Sequence, residues 1–250
     1  MSAMLELHSI TRHFEGESSP LFRDINIEAA AGESIGLIGA SGQGKSTLLR
    51  CIAWLDKADE GVIRMEGIPQ ANFEPREWRK QILYVAQQAI MLPGTLLDNM
   101  KTVSKLHKQD YDAELANMLL AKVGLQGLEL DKPAAELSGG EKQRLALVRS
   151  MLLKPKVLLL DEVTSALDAN SMQLVERLLA EWRDEEGTTC IWISHDFKQV
   201  KRVCDTVWFM SGGRLLESGP CEAFFKQPAT EEAKSFIGMI PSRAYEEVTG

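Results

Sequence analysis

The chain has 250 residues, a size for one large domain or one domain with an added lobe. With 44% hydrophobic and 26% charged residues it can bury a core, which excludes an intrinsically disordered chain. A net charge of −8 disfavours a nucleic-acid binder, whose footprint is a basic face.

The first residues, Met1-Ser2-Ala3-Met4-Leu5-Glu6, lack the charged-then-apolar pattern of a secretory signal. Residues 4–10 and 25–28 read as short strands, with Gly16-Glu17-Ser18-Ser19-Pro20 as a turn between them. Ser34–Ile38 is a short apolar strand running into a glycine-rich loop, and 46–55 reads as a helix. Gly61–Glu66 and Ile82–Val85 read as further strands. From about 88 the texture turns polar, with helical periodicity across 110–123, as expected of a helical lobe inserted into an α/β domain. A helix is predicted at 139–153, a buried strand at 156–160, a helix at 170–185, and strands at 189–193 and 206–210. Such alternation implies a mostly parallel sheet covered on both faces. From about 229 a polar tail with a short amphipathic segment is predicted. No apolar run approaches the roughly 18 residues of a membrane helix. Cys51, Cys190, Cys204 and Cys221 show no CxxC spacing and read as reduced cytosolic thiols.

Gly39-Ala40-Ser41-Gly42-Gln43-Gly44-Lys45-Ser46 matches the phosphate-loop pattern G-x-x-x-x-G-K-[ST] at every fixed position, with Thr47 next in the chain. Glycines let the backbone curl until several N–H groups point at phosphate oxygens. The helix starting there adds the positive end of its dipole. Lys45 can reach the β- and γ-phosphates, and the Ser46 hydroxyl can hold Mg²⁺.

Lys156-Val157-Leu158-Leu159-Leu160-Asp161-Glu162 is an apolar run ending in two carboxylates. A run apolar throughout suits a central strand of a parallel sheet, and such sheets place ligands at the carboxyl ends of their strands. Asp161 is then a candidate Mg²⁺ ligand and Glu162 a candidate general base for the attacking water.

Leu137-Ser138-Gly139-Gly140-Glu141 precedes the 139–153 helix. Ser138 and Glu141 make a capping box, and the two glycines leave room for an anion at the helix start. This is a second phosphate site, and two sites for one nucleotide make sense when they come from opposing subunits.

The LSGGE segment with Lys142-Gln143-Arg144 resembles the signature motif of ABC ATPases. Other hallmarks follow the same order. Phe14 resembles the aromatic that stacks on adenine, and Gln87, with Gln88 one place along, resembles the Q-loop glutamine. Ser165-Ala166-Leu167-Asp168 resembles the D-loop, and His195 in Ser194-His195-Asp196 resembles the switch histidine. The strand-turn Gly213–Pro220 is similar too, and the likeness covers about 4–228. It implies an α/β P-loop NTPase of the ABC ATPase fold. That fold has a mostly parallel core sheet, an N-terminal antiparallel β subdomain and an inserted helical subdomain at about 88–155. A single domain at 1–228 and a tail at 229–250 are expected.

The resemblance further implies ATP and Mg²⁺ as cofactors and a head-to-tail homodimer. Each ATP would lie between the phosphate loop of one subunit and Ser138, Gly139, Gly140, Glu141 and Asp168 of the other. Ser46, Asp161 and Gln87 would serve Mg²⁺, while Glu162, His195, Gln87 and Lys45 would carry catalysis. Two classes come into question, a transporter motor and a soluble ABC protein. Too few positions separate Gln87 from Ser138 for the long coiled coil of chromosome-type members, and one cassette is half of what translation-type members carry. A transporter motor is therefore expected, working on a separate membrane-spanning subunit at the cytoplasmic face of the inner membrane. The apolar stretch Ala89–Leu97 is the expected landing place for that subunit. Val163 after Glu162, where most importer subunits carry Pro, leans towards two-component iron exporters, with solute importers as the alternative.

Overall fold

The structure, a computed structural model, describes residues 3–14, 16 and 19–238. In chain order it runs β1 (Ala3–His13), β2 (Pro20–Ala30), β3 (Ser34–Ile38), α1 (Lys45–Ile52), β4 (Glu60–Met65) and β5 (Ile68–Pro69). Then come α2 (Pro75–Gln81), β6 (Ile82–Val85), α3 (Leu96–His107), α4 (Ala113–Lys122), α5 (Gly139–Met151) and β7 (Val157–Asp161). The last third holds α6 (Ala169–Glu186), β8 (Thr189–Ile193), α7 (Phe197–Val203), β9 (Thr206–Ser211), β10 (Arg214–Pro220), α8 (Cys221–Lys226) and α9 (Glu231–Gly238).

Two sheets form. A four-stranded one has the order β2-β1-β4-β5, all pairs antiparallel. A six-stranded one has the order β10-β9-β3-β8-β7-β6, parallel except for β10. The mostly parallel core sheet with an antiparallel N-terminal partner is thus as expected. So are the helices α3–α5 between β6 and β7.

The central strands are buried along their whole length, and their side chains alternate between two cores. Leu158 and Leu160 face the core shared with α3–α9. Val157 and Leu159 face the one shared with β1, β2, α1 and α2. Packing both faces is what makes these strands continuously apolar. Trp78 of α2 is fully buried, donates its indole N–H to Ile52 O at 2.8 Å and packs edge-on to Phe73 and Trp54. Such burial contributes about 1.5–3 kcal/mol and pins α2 to the end of α1.

β1 and β2 are longer than 4–10 and 25–28. Ser9 (φ 51°) and Asp24 (φ 51°) are left-handed and break the period-2 pattern, so the strands continue past bulges. Asn26 stitches the bulges together, accepting from Ser9 N and donating to Asp24 Oδ1, both at 2.8 Å. α1 ends at Ile52, short of residue 55, because Trp54 turns left-handed (φ 57°). α2, α7 and α8 are helices of six or seven residues, too short to show periodicity.

The expected tail includes α9, whose Ala233 and Ile237 are buried in the larger core. Phe236 packs against Phe197 and Phe209 at centroid distances of 5.4 and 5.2 Å. Residues 239–250 of that tail lie outside the described residues. All four cysteines are buried free thiols. Among the described residues no helix is long and apolar enough to cross a membrane.

Candidate nucleotide-binding and catalytic site

The loop 39–44 leaves β3 at its carboxyl end and enters α1 with Gly44 at the N-cap, where no side chain caps the helix. The first N–H groups of α1 are therefore free for an anion. Two glycines are demanded by geometry. A Cβ on Gly39 (φ 148°) would collide with the carbonyl oxygen of Met210 in β9. One on Gly44 (φ 85°) would come within 2.8 Å of Phe22 and 2.9 Å of Leu21. Gln43 accepts from Gly213 N at 3.1 Å, tying the loop to the β9–β10 turn.

Lys45 is buried, and its ammonium folds back onto the loop, donating to Gly39 O and Ala40 O at 2.8 Å each. Burial lowers its pKa, opposed by the nearby charges of Glu162 and Asp161. Two carbonyls thus hold the ammonium beside the loop and the start of α1.

Asp161 closes β7 and is 3% exposed. Its Oδ1 accepts from Ser46 Oγ at 3.1 Å and its Oδ2 from Tyr84 Oη at 2.7 Å. Tyr84 stands on β6, the neighbouring strand, and sequence reasoning assigned it no role. A polar-tipped aromatic at the carboxyl end of a parallel strand is the signal that would have found it. Burial and the adjacent carboxylate push its phenol pKa up.

Glu162 follows in a left-handed backbone (φ 49°), which costs about 1–3 kcal/mol in a residue other than glycine. Its N–H donates to Ile193 O at 3.0 Å, and its carbonyl accepts from Ser165 N and Oγ. The turn aims the carboxylate between two long-range partners. Gln87 Nε2 donates to Oε2 at 2.8 Å, and His195 Nε2 lies 3.0 Å from Oε1. Glu162, His195 and Lys45 line one cavity of about 260 Å³ with Phe14 and the loop residues Ser41, Gly42, Gly44, Ser46 and Thr47. Phe14 is 51% exposed at its mouth, an unusual place for a bare aromatic ring.

The profile of the family described as ABC transporter matches residues 22–165. The chain belongs to the ABC transporter family. The ABC transporter ATP-binding protein YjkB of Bacillus subtilis is 37% identical over 224 residues, covering 89% of this chain and 88% of its own. The methionine import ATP-binding protein MetN of Haemophilus influenzae is 36% identical over 242 residues, covering 94% and 70%. The structure of CbiO1 of Clostridium perfringens, part of the ABC transporter complex CbiONQ, superposes with a TM-score of 0.80 at 25% identity over 99% of each chain. This ABC protein is thus the ATP-binding subunit of a transporter, and an ATPase.

The remaining expected site residues of the ABC subunit lie away from the phosphate-loop cavity. Ser138 caps α5 in a reciprocal box with Glu141: Ser138 N donates to Glu141 Oε2 at 2.8 Å, and Glu141 N to Ser138 Oγ at 3.3 Å. Ser138 and Gly139 are exposed, while Gly140 sits close to Leu167. Asp168 caps α6, accepting from Ser171 N at 3.0 Å and Ser171 Oγ at 2.7 Å. Gln143 of α5 donates to Ala86 O at 2.9 Å and so ties this helix to the segment bearing Gln87.

The stretch Ala89–Leu97 divides. Ile90 is 73% and Leu92 42% exposed, whereas Leu96 is core. Buried Asn99 holds the segment, donating to Leu92 O and Thr95 O and accepting from Leu92 N. Arg149 of α5 donates to Asn99 Oδ1 and Ile90 O at 3.2 and 3.0 Å.

Proposed function

We propose that this ABC subunit hydrolyses ATP at a composite site shared by two copies packed head to tail, and that it drives a separate membrane-spanning subunit. The observation that carries the reading is the division of phosphate-binding features. Lys45, Ser46, Glu162 and His195 line one cleft, with Asp161 bonded to Ser46 and Gln87 to Glu162, while Ser138 and Gly139 at the start of α5 are exposed and outside its lining. The second feature is complete only when another copy supplies a nucleotide to it.

In this reading Phe14 stacks on adenine, and the N–H groups of Gly39, Ala40, Ser41, Gly42, Gln43, Gly44, Lys45, Ser46 and Thr47 enclose the phosphates. Lys45 leaves its two carbonyls for the β- and γ-phosphates. Ser46 and Asp161 fit a hard divalent cation, since a hydroxyl and a buried carboxylate already meet at 3.1 Å. Mg²⁺ bound there, with Gln87, would neutralise charge on the phosphates. Glu162 accepts a proton from the attacking water, and His195 senses the γ-phosphate. Ser138, Gly139, Gly140, Glu141 and Asp168 serve the nucleotide of the partner copy. Positioning and electrostatics carry the reaction.

Ile90 and Leu92 mark the landing place of the membrane subunit, which would hold the chain peripherally at the cytoplasmic face of the inner membrane. For cargo, the Asp161-Glu162-Val163-Thr164 pattern favours iron export. A second reading, import of a small solute, draws on the likeness to a methionine import subunit.

Two experiments test this. Purified Glu162→Gln should keep ATP binding, accumulate as a dimer with ATP and Mg²⁺, and lose turnover; normal turnover would remove Glu162 from its role. The tagged chain, isolated from gently solubilised native membranes, should bring a stoichiometric polytopic protein with it. Soluble or ribosomal partners alone would overturn the transporter reading of this site.

A further inference from the structure

Behind Glu162 and His195 lies a buried polar bridge that the reading above does not use. Gln199 of α7 is 1% exposed, Thr164 7% and Glu176 of α6 7%. Gln199 Nε2 donates to Thr164 Oγ1 and to Glu176 Oε1, both at 2.8 Å. Arg202 clamps the same carboxylate, donating from Nε to Oε2 at 2.8 Å and from Nη2 to Oε1 at 2.7 Å. A buried carboxylate is costly unless it is paired, and leaving one partner out is strongly destabilising. Here the pairing is complete, so Glu176 is an immobile anchor rather than a liability.

What the bridge joins gives it meaning. Thr164 lies two residues after Glu162, in the turn whose N–H and carbonyl contacts aim that carboxylate. Gln199 sits in the first turn of α7, directly after Asp196, the cap, and His195. Asp196 accepts from the backbone N–H of Gln199 itself. Glu176 belongs to α6, whose cap is Asp168. One side-chain amide therefore touches all three segments that carry Glu162, His195 and Asp168. Gln199 also forms part of the wall of a cavity of about 370 Å³ that Glu162, Ser165 and His195 line.

We propose that Gln199 is a positioning residue for ATP hydrolysis, fixing Glu162, His195 and Asp168 relative to one another through its bridge from Thr164 to Glu176. This rests on the catalytic assignment of Glu162 and His195 made above. The amide does not meet nucleotide; it holds the pieces that do. A misplacement of about 1 Å at a reacting group can cost 100-fold in rate. Binding relies on the phosphate loop, which the bridge does not contact, and is left intact.

The test is steady-state ATPase on the full-length chain, expressed per chain competent to bind ATP. Gln199→Leu keeps volume and removes its bonds to both Thr164 and Glu176; Thr164→Val removes only those to Thr164, whose Oγ1 also donates to Gln199 Oε1 at 3.2 Å. Each should lower kcat at least tenfold with KM for ATP within twofold of wild type. Their double variant should be no slower than the slower single, because both cut the same bridge. If Gln199→Leu does not fold, Gln199→Asn keeps the amide but is one methylene too short to span both partners, and the same loss is expected. Retained kcat in binding-competent protein, whatever the change in thermal midpoint, overturns the proposal. So does a double variant whose loss is the product of the two singles. Glu162→Gln run in parallel separates the two levels. If it turns over normally, the catalytic assignment fails; if it is inactive while Gln199→Leu is fully active, only the positioning role fails.

Discussion

Gln87 donates its side-chain amide to Glu162 Oε2 at 2.8 Å, across 75 positions of sequence. Gln87 stands where the chain leaves β6 for the helical segment, and Gln143 ties α5 of that segment to Ala86 O next door. A shift of the helices thus reaches the Glu162 carboxylate through one residue. Gln87→Ala should lower kcat about tenfold and leave KM for ATP within threefold, if the main role of Gln87 is its bond to Glu162, the proposed general base. Phosphate release at saturating ATP measures it; an unchanged kcat would sever this link.

Lys45 is held by two carbonyls at 2.8 Å, in a cavity that Ser41, Gly42 and Gly44 of the loop also line. Moving it to phosphate exchanges neutral acceptors for charged ones. Such charge-assisted bonds are worth roughly 1.5–3 kcal/mol, or about 10- to 150-fold in affinity. Lys45→Ala should weaken ATP by that factor in a calorimetric titration. Undiminished affinity would place the phosphates elsewhere.

Tyr84 Oη occupies one oxygen of Asp161 and leaves the other to Ser46. Hydrogen bonds of this kind to a metal-binding carboxylate typically matter about 10- to 100-fold in metal affinity. Tyr84→Phe should raise the Mg²⁺ concentration needed for half-maximal turnover by about tenfold, with maximal turnover recovered at high Mg²⁺. Because burial pushes the phenol pKa up, that effect should be the same across neutral pH.

Three capping carboxylates are held below their ordinary pKa values. Thr95 N–H does this for Asp98, Ser138 N–H for Glu141 and the Ser171 hydroxyl for Asp168. A depressed carboxylate adds stability above its unfolded pKa, ordinarily 3.8 for Asp and 4.5 for Glu, and loses it as pH falls through the lower folded value. The thermal midpoint should therefore be insensitive to these groups near neutrality and fall as pH drops below about 4.5. Glu141→Gln should flatten part of that acid limb; an unchanged slope would show that the cap at Ser138 is not formed in solution.

Burial pushes the thiols of Cys51 and Cys190 up to about 12 and that of Cys221 to about 11, and raises Cys204 as well. Thiolate, the reactive form, is then scarce at neutral pH. Native protein should resist alkylation for hours and take up four labels once unfolded, as intact-mass measurement would record. Rapid labelling of the native protein would show that these sites open.

Local chain chemistry determined much of this protein by itself. The phosphate loop needs glycines and a following helix within a few residues, and the run Val157–Leu160 must be buried on both faces. The Ser138–Glu141 box closes within one helical turn. All three were legible because their causes lie within a short span of sequence. β1 and β2 were legible only in part, because Ser9 and Asp24 interrupt the alternation that marks a strand. What tertiary structure alone decided is which distant groups meet. Placing β7 between β6 and β8 brings Tyr84 to Asp161 and Ile193 O to Glu162 N, and packing α6 against α7 brings Glu176 to Gln199. Strand order and helix packing are set by the burial of whole faces, a property summed over the chain. No window around Tyr84 or Gln199 contains the partner that gives the residue its work.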